Sequence, residues 1–270
     1  MNSQLEKLVP FSGNHSIKEA VISIFLLNDI IKPERFQKLI QDKSFQENFK
    51  KFEPLENFQL QIKNVSGASS INYNTLKNTG FRFSGFDNTG KTVKVFQGNN
   101  EENRRFMSYH DLNYSNWKNF NDDYLKIINL LISDFNEPFL IESFSLHYID
   151  VFNWNAEINE FPKEEIFNKN GRILPLKFFE SKFNTTFLLT IEQVIEDVSF
   201  FDRIQIKIEN KILPEITISH NISHKLINEE ELSSLINKPK FYNTLSLAHN
   251  NNKKVLSEIL TRQVQDLIKL

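Results

Sequence analysis

Six histidines, 34 carboxylates and no cysteine set the chemistry open to this 270-residue chain. His220 and His224, in Ser219-His-Asn-Ile-Ser-His224, form the best ligand pair. On a helix that spacing places two ligands on adjacent turns. On a strand it separates them by about 13 Å, too far to share one zinc ion. The alternation around them reads as strand, so no metal site is expected. His147 lies between Leu146 and Tyr148 on another strand pattern, where a structural histidine outweighs a general base. His110-Asp111 joins a base to an acid, but neighbours on a strand point to opposite faces. There is no GxSxG elbow for a nucleophilic serine. Asp202 followed by Glu209-Asn210-Lys211 imitates the acid, then acid-x-Lys spacing of a magnesium-dependent nuclease, although the gap is short and residues 209–211 resemble a hairpin tip. Asp122-Asp123 falls in the first turn of a helix, where acids stabilise the dipole. No catalytic, cofactor-binding or metal-binding residue is assigned, and the chain is expected to be a non-enzyme without a cofactor.

Binding features are the other resource. Lys50-Lys51, Arg104-Arg105 and Lys253-Lys254 are basic pairs, and Arg104-Arg105 stands beside Phe106 and Tyr109. Guanidinium next to aromatic is the chemistry of backbone contact with base stacking, which makes Arg104, Arg105, Lys50 and Lys51 the nucleic-acid candidates. Glu101-Glu102 next door weakens the field, and a solvated turn is the competing reading. Partner contact is assigned to Phe161 and Phe167, in a segment where regular burial is not implied, and to Val255 and Ile259, on the apolar stripe of the last helix.

The elements that must hold these residues alternate irregularly. Residues 17–27 read as a strand buried on much of both faces, and Pro33 starts a helix that continues unevenly to Phe49. Residues 58–62, 81–86, 92–96 and 105–112 read as strands, with Asp87-Asn-Thr-Gly90 as a hairpin turn and the polar stretch 66–78 as a loop. Trp117, Phe120, Tyr124, Ile127, Ile128, Leu131 and Phe135 give the clearest amphipathic helix, with Ser115 as its N-cap. Residues 139–153, 187–192, 203–208 and 215–222 are further strands. Asn228–Glu231 opens a short helix, and residues 241–269 form a long helical region that Asn250-Asn251-Asn252 could interrupt. The order predicts an α+β fold with two antiparallel sheet-plus-helix units in one compact body: a unit over 1–154, a linker or excursion over 155–175, and a unit over 176–270 ending in long helices.

Composition narrows the function classes. A net charge of −2 argues against a dedicated, strongly basic nucleic-acid binder. The absence of cysteine excludes disulfides, thiol nucleophiles and iron–sulfur clusters. Only 7 glycines, with neither GxxxxGK[ST] nor GxGxxG, leave no phosphate-cradling loop of those types. No apolar run reaches about 18 residues and the N-terminus lacks a signal-peptide pattern, so a cytoplasmic protein without membrane contact is expected.

His15-Ser-Ile-Lys-Glu-Ala-Val21, Gly80-Phe-Arg-Phe83, Tyr114-Ser-Asn-Trp117 and Leu146-His-Tyr-Ile149 occur in the order shown by a sporadically distributed, uncharacterised bacterial family of similar length. Residues 185–195, 214–220 and 245–260 resemble its remaining segments. Where that family commonly has Leu-Arg-Tyr-Ile-Asn, this chain has His147 and Asp150 in place of Arg and Asn. The chain also resembles accessory proteins found beside type II-C CRISPR loci. That likeness implies a homodimeric scaffold in antiphage immunity that binds an RNA-guided effector nuclease, reaches nucleic acid through it, and strengthens its DNA binding and cleavage. The alternatives are a metal-dependent defence nuclease using Asp202 and Glu209, and a direct nucleic-acid-binding module.

Overall fold

A computed structural model describes residues 5–13, 15–28, 36–65, 68–101, 104–134, 138–158, 161–181 and 184–270; at 56–65, 68–78, 101, 104 and 134 it describes the backbone only. The strands are β1 (Leu8–Pro10), β2 (Ile17–Leu26), β3 (Lys51–Val65), β4 (Ala68–Phe86), β5 (Thr92–Glu101), β6 (Arg104–Asp111), β7 (Leu140–Trp154), β8 (Thr185–Ile195), β9 (Val198–Asn210) and β10 (Pro214–Glu231). The helices are α1 (Lys43–Asn48), α2 (Trp117–Asp134), α3 (Lys163–Ile166), α4 (Leu176–Glu180), α5 (Leu232–Leu235), α6 (Pro239–Ile259) and α7 (Arg262–Leu267).

The fold is α+β with an antiparallel sheet. Among the described residues the strands form one sheet in the order β3-β4-β5-β6-β2-β7-β10-β9-β8, with β1 paired to the end of β7. β7 joins the two halves because it carries a ladder on each edge, to β2 and to β10. One face of the sheet is covered by helices. On it Ala20, Ile22 and Ile24 of β2 meet Tyr148, Leu146 and Phe144 of β7, and α2 adds Phe120, Tyr124, Ile128 and Leu131. A second cluster lies further along the same strands: Ile204, Ile206 and Ile208 of β9, Ile216 and Ile218 of β10 and Phe152 and Trp154 of β7 pack with Val255, Leu256 and Ile259 of α6, whereas Phe200 of β9, Ile222 of β10 and Leu245 of α6 belong to the first.

A polar seam divides the two clusters. Asp150, His220 and Asp202 interrupt the apolar positions of β7, β10 and β9, and all three are essentially buried. Their counterparts on α6 are Asn251, whose Nδ2 donates to Asp202 at 2.8 Å, and Asn252, whose Nδ2 stands 3.2 Å from His220 Nδ1. Gln193 of β8 also donates to Asp202. Buried amides and charges persist only when paired. That pairing is why Asn250-Asn251-Asn252 does not interrupt α6: two of the three point inward and bond the sheet.

Several sequence expectations change for local reasons. Residues 68–78 extend β4 in place of a loop, because their backbone continues the ladder with β3 despite a polar composition. The helix expected from Pro33 to Phe49 is a 3-10 turn over Gln37–Gln41 followed by α1; residues 29–35 lie outside the described residues. The N-cap of α2 is Asn116, whose Oδ1 accepts the Asn119 N–H at 2.9 Å, while Ser115 accepts from the Asn119 side chain. Residues 228–231 end β10, and the short helix begins at Leu232.

Candidate binding groove on the open sheet face

The face of the sheet opposite the helices is polar, and the alternation of its strands builds it. Asp202, Ile204, Ile206 and Ile208 of β9 face the core, so Phe201, Arg203, Gln205 and Lys207 face outward. By register, Arg203 lies beside Asn221 of β10, Asn221 beside His147 of β7, and His147 beside Val21 of β2. One step along, Ser223, Ser145, Ser23 and Ser108 stand in register across β10, β7, β2 and β6. Four consecutive small side chains leave a floor lower than its margins.

A groove of about 730 Å³ lies on this face, with Ser143, Ser219 and Ser223 among its small residues, and is lined also by Phe25, Arg105, Glu142, His147, Phe201 and Arg203. Phe201 is 51% exposed. Phe25 stands against Phe106 with centroids 6.3 Å apart. Arg105 reaches over the end of β2, where its Nη1 donates to the Leu27 carbonyl at 3.2 Å. The acid of the groove, Glu142, is faced by Lys225 at 3.3 Å, and two guanidinium groups, Arg105 and Arg203, line the groove. His147 lies on the floor with its Nε2 2.7 Å from Ser219 Oγ. Burial lowers its pKa to about 4, with nearby Glu19 opposing, so the ring is neutral at pH 7.

Beside the groove, Glu19 Oε1 is 2.6 Å from His110 Nδ1, and His110 Nε2 is 2.8 Å from Ser108 Oγ. The connectivity is that of an acid, a base and a hydroxyl. His110 and its bond hold the Glu19 carboxyl below the usual range against the opposing effect of burial. Two features separate this chain of bonds from a nucleophile site. Ser108 is only 2% exposed, and β6 is laddered on both edges, which engages the backbone N–H groups that an oxyanion would need. Gln97 Nε2 also lies 3.1 Å from the same imidazole nitrogen. The trio is a hydrogen-bonded patch that fixes the His110 ring.

The residues singled out from sequence fare unequally. Arg105 reaches the groove. The Arg104 side chain lies outside the described residues. Lys50 and Lys51 are exposed at the start of β3, three strands beyond β6, and Lys51 pairs with Glu53 at 2.8 Å, so they are not brought to the groove. Of the four partner-contact residues, Phe167, Val255 and Ile259 are buried within the chain and Phe161 is half-buried. Phe167 is fully buried and meets Phe178 edge-on at 5.0 Å, because the 155–175 segment folds back onto the sheet. Ile259 is fully buried and Val255 is 8% exposed, because β9 and β10 consume the stripe of α6. Phe161 is half-buried against Trp154 at 5.7 Å. Asp202 and Glu209 do not converge: seven residues along β9 is about 23 Å, and the odd interval places them on opposite faces. His220 and His224 remain on a strand with different neighbours, Asn252 for one and the Ser199 carbonyl for the other. Among the described residues no group of three or more histidines and acids is placed to hold a metal ion.

Sequence reading missed Arg203, Phe201, Gln205, Asn221, Ser219 and Phe25. The signal was present as strict alternation: Phe201, Arg203, Gln205 and Lys207 fill every second position of β9, and Ser219, Asn221 and Ser223 do so on β10. No family model matches the chain, and no curated protein matches it. The likeness drawn from its motifs therefore rests on those motifs alone.

Proposed function

We propose that this chain is a non-enzymatic binding protein whose open sheet face takes a segment of single-stranded nucleic acid. The observation that carries the reading is the grouping of Arg105, Arg203, Phe25 and Phe201 around one groove with neutral amides and hydroxyls between them. Guanidinium groups bind phosphate bidentately, phenylalanine faces stack bases without regard to sequence, and Gln205, Asn221 and Ser219 offer donors and acceptors to base edges. The net charge of −2 does not oppose this, because the positive charge is local and the groove's acid has its own lysine.

The sequence likeness supplies the setting. The chain serves as a cytoplasmic, homodimeric accessory protein in antiphage immunity, and its partner is an RNA-guided effector nuclease, a ribonucleoprotein that carries a guide and displaces a DNA strand. The two halves are two sheet-and-helix units sharing β7, which is laddered to β2 on one edge and to β10 on the other.

Fluorescence anisotropy with a labelled single-stranded oligonucleotide tests the reading. Two phosphate contacts give a slope of log K against log salt of about −1.4, at roughly 0.7 per contact on a single strand. Arg203→Ala should halve that slope. Phe201→Ala should weaken binding by about 1–3 kcal/mol, the range for loss of one stacking platform. Absence of binding at low salt, or binding that neither substitution changes, contradicts it.

A further inference from the structure

The two ends of the sheet are built differently. β3, at one end, begins with Lys51, Glu53 and Pro54, the charges and proline that protect an edge from pairing with another chain. β8, at the other end, is Thr185-Thr-Phe-Leu-Leu-Thr-Ile-Glu-Gln-Val-Ile195: eleven residues without proline, lysine or arginine, and with one acid. Its ladder with β9 runs from Thr185 to Ile195 without a register shift. Leu188 is 50% exposed and Val194 70%, and Phe201, in register with Glu192, is 51% exposed. A long, straight, apolar edge is a template for another strand.

The hairpin closing β8 and β9 fixes which groups face outward. Glu196 and Asp197 have φ of 48° and 65°, the two positive values of a type I′ turn, and the flanking pair is Ile195 with Val198. That pair exchanges hydrogen bonds, and pairs alternate from there, so the odd-numbered residues of β8 bond β9. The backbone N–H and C=O groups of Thr186, Leu188, Thr190, Glu192 and Val194 point to the free edge.

We infer that β8 is a homodimer edge, at which two copies of this chain pair antiparallel about a two-fold axis through Thr190 and continue one sheet across both. Thr190 is the midpoint of β8 and faces outward, so this register overlaps all eleven residues. It sets each Glu192 opposite Leu188 of the second copy, whereas centring on Glu192 would oppose like charges. The outward groups form about ten inter-chain hydrogen bonds, the number typical of a specific interface.

The consequence rests on the groove reading above. A two-fold axis between antiparallel strands of one sheet stands perpendicular to it, so both open faces lie on the same side. Thr190 is in register with Arg203. The two Arg203 residues then share one row, three strand spacings or about 14 Å apart, and the two grooves become one continuous face for a longer strand.

Light scattering with the intact chain tests the dimer. The expected mass is twice 31.8 kDa. Thr190→Pro removes one outward N–H and leaves the β8–β9 ladder intact, and Val194→Lys charges the edge; both should give a mass of one chain with an unchanged circular dichroism spectrum. Because the chain has no cysteine, Thr190→Cys introduces a unique thiol. At the about 5.5 Å Cα separation of a bonded antiparallel pair it should close a disulfide between copies, whereas Ile212→Cys at the β9–β10 turn should not. A monomeric wild type, a dimer that survives both edge variants, or a dimer that Thr190→Cys fails to cross-link overturns the proposal. The groove reading fails separately: an oligonucleotide short enough for one groove should bind the Thr190→Pro monomer as tightly as the dimer, and only a longer one should lose affinity.

Discussion

Lowering the pH from 7 to 5 should destabilise the wild-type protein by about 2 kcal/mol more than it destabilises His249→Gln. His249, on α6, is 7% exposed; its ring stacks on Trp117 at 4.7 Å and 6°, and its Nδ1 is 2.9 Å from the Tyr148 hydroxyl. Burial, reinforced by the charge of Lys253, lowers its pKa to about 4 from the ordinary 6.5. The folded ring therefore stays neutral at pH 5 while the unfolded ring takes up a proton. A histidine depressed in this way contributes stability that is fully present above pH 6.5 and is lost as the pH falls towards 4. Over the 1.5 units between 6.5 and 5, at about 1.4 kcal/mol per unit, the loss is about 2 kcal/mol. His147 behaves alike. Asp150 acts in the opposite sense, because burial raises its carboxyl to about 6 against the opposing bond from Ser16. It contributes stability below the unfolded value of 3.8 that is lost as the pH rises through 6. Comparison with the variant cancels both. Urea midpoints at the two pH values, followed by Trp117 fluorescence, give the difference. Equal losses for wild type and His249→Gln would refute the reasoning, since His249 would then titrate normally in the fold.

Two further substitutions probe the packing that holds the groove. A Cβ on Gly80 would stand 2.1 Å from the Gly98 carbonyl oxygen, so Gly80→Ala must push β4 from β5 and should lower stability by about 1–3 kcal/mol, read from thermal unfolding. Ile259→Ala should cost about 2–5 kcal/mol as a core truncation and leave oligonucleotide binding unchanged at temperatures where the variant is folded; a selective loss of binding would return α6 to the list of contact surfaces.

What could be read from sequence follows from what each pattern encodes. The strands with strict alternation, 81–86, 92–96, 203–208 and 215–222, are where periodicity placed them, and so is the amphipathic helix opened by Trp117. Residues 68–78 escaped because a ladder satisfies backbone groups whatever the side chains, and composition alone speaks for a loop there. The stripe of α6 was legible as a stripe, but a pattern says only that a face is buried, not whether another chain or this one buries it. The groove was harder still. Its lining comes from β9, β10, β7, β2 and β6, and registers between strands distant in the chain are set by the whole sheet. Arg105 was found as a basic residue beside aromatics, while Arg203 stood alone in sequence and gains meaning only from Phe201, Asn221 and His147 around it.

Photocross-linking tests the central claim most directly. A single-stranded oligonucleotide carrying 5-bromouracil, irradiated with the intact protein and mapped by mass spectrometry, should attach to peptides containing Phe201 on β9 and Phe25 on β2, with Arg203→Ala reducing the yield. Attachment confined to the Lys50-Lys51 end of the sheet, or no attachment at low salt, would contradict it.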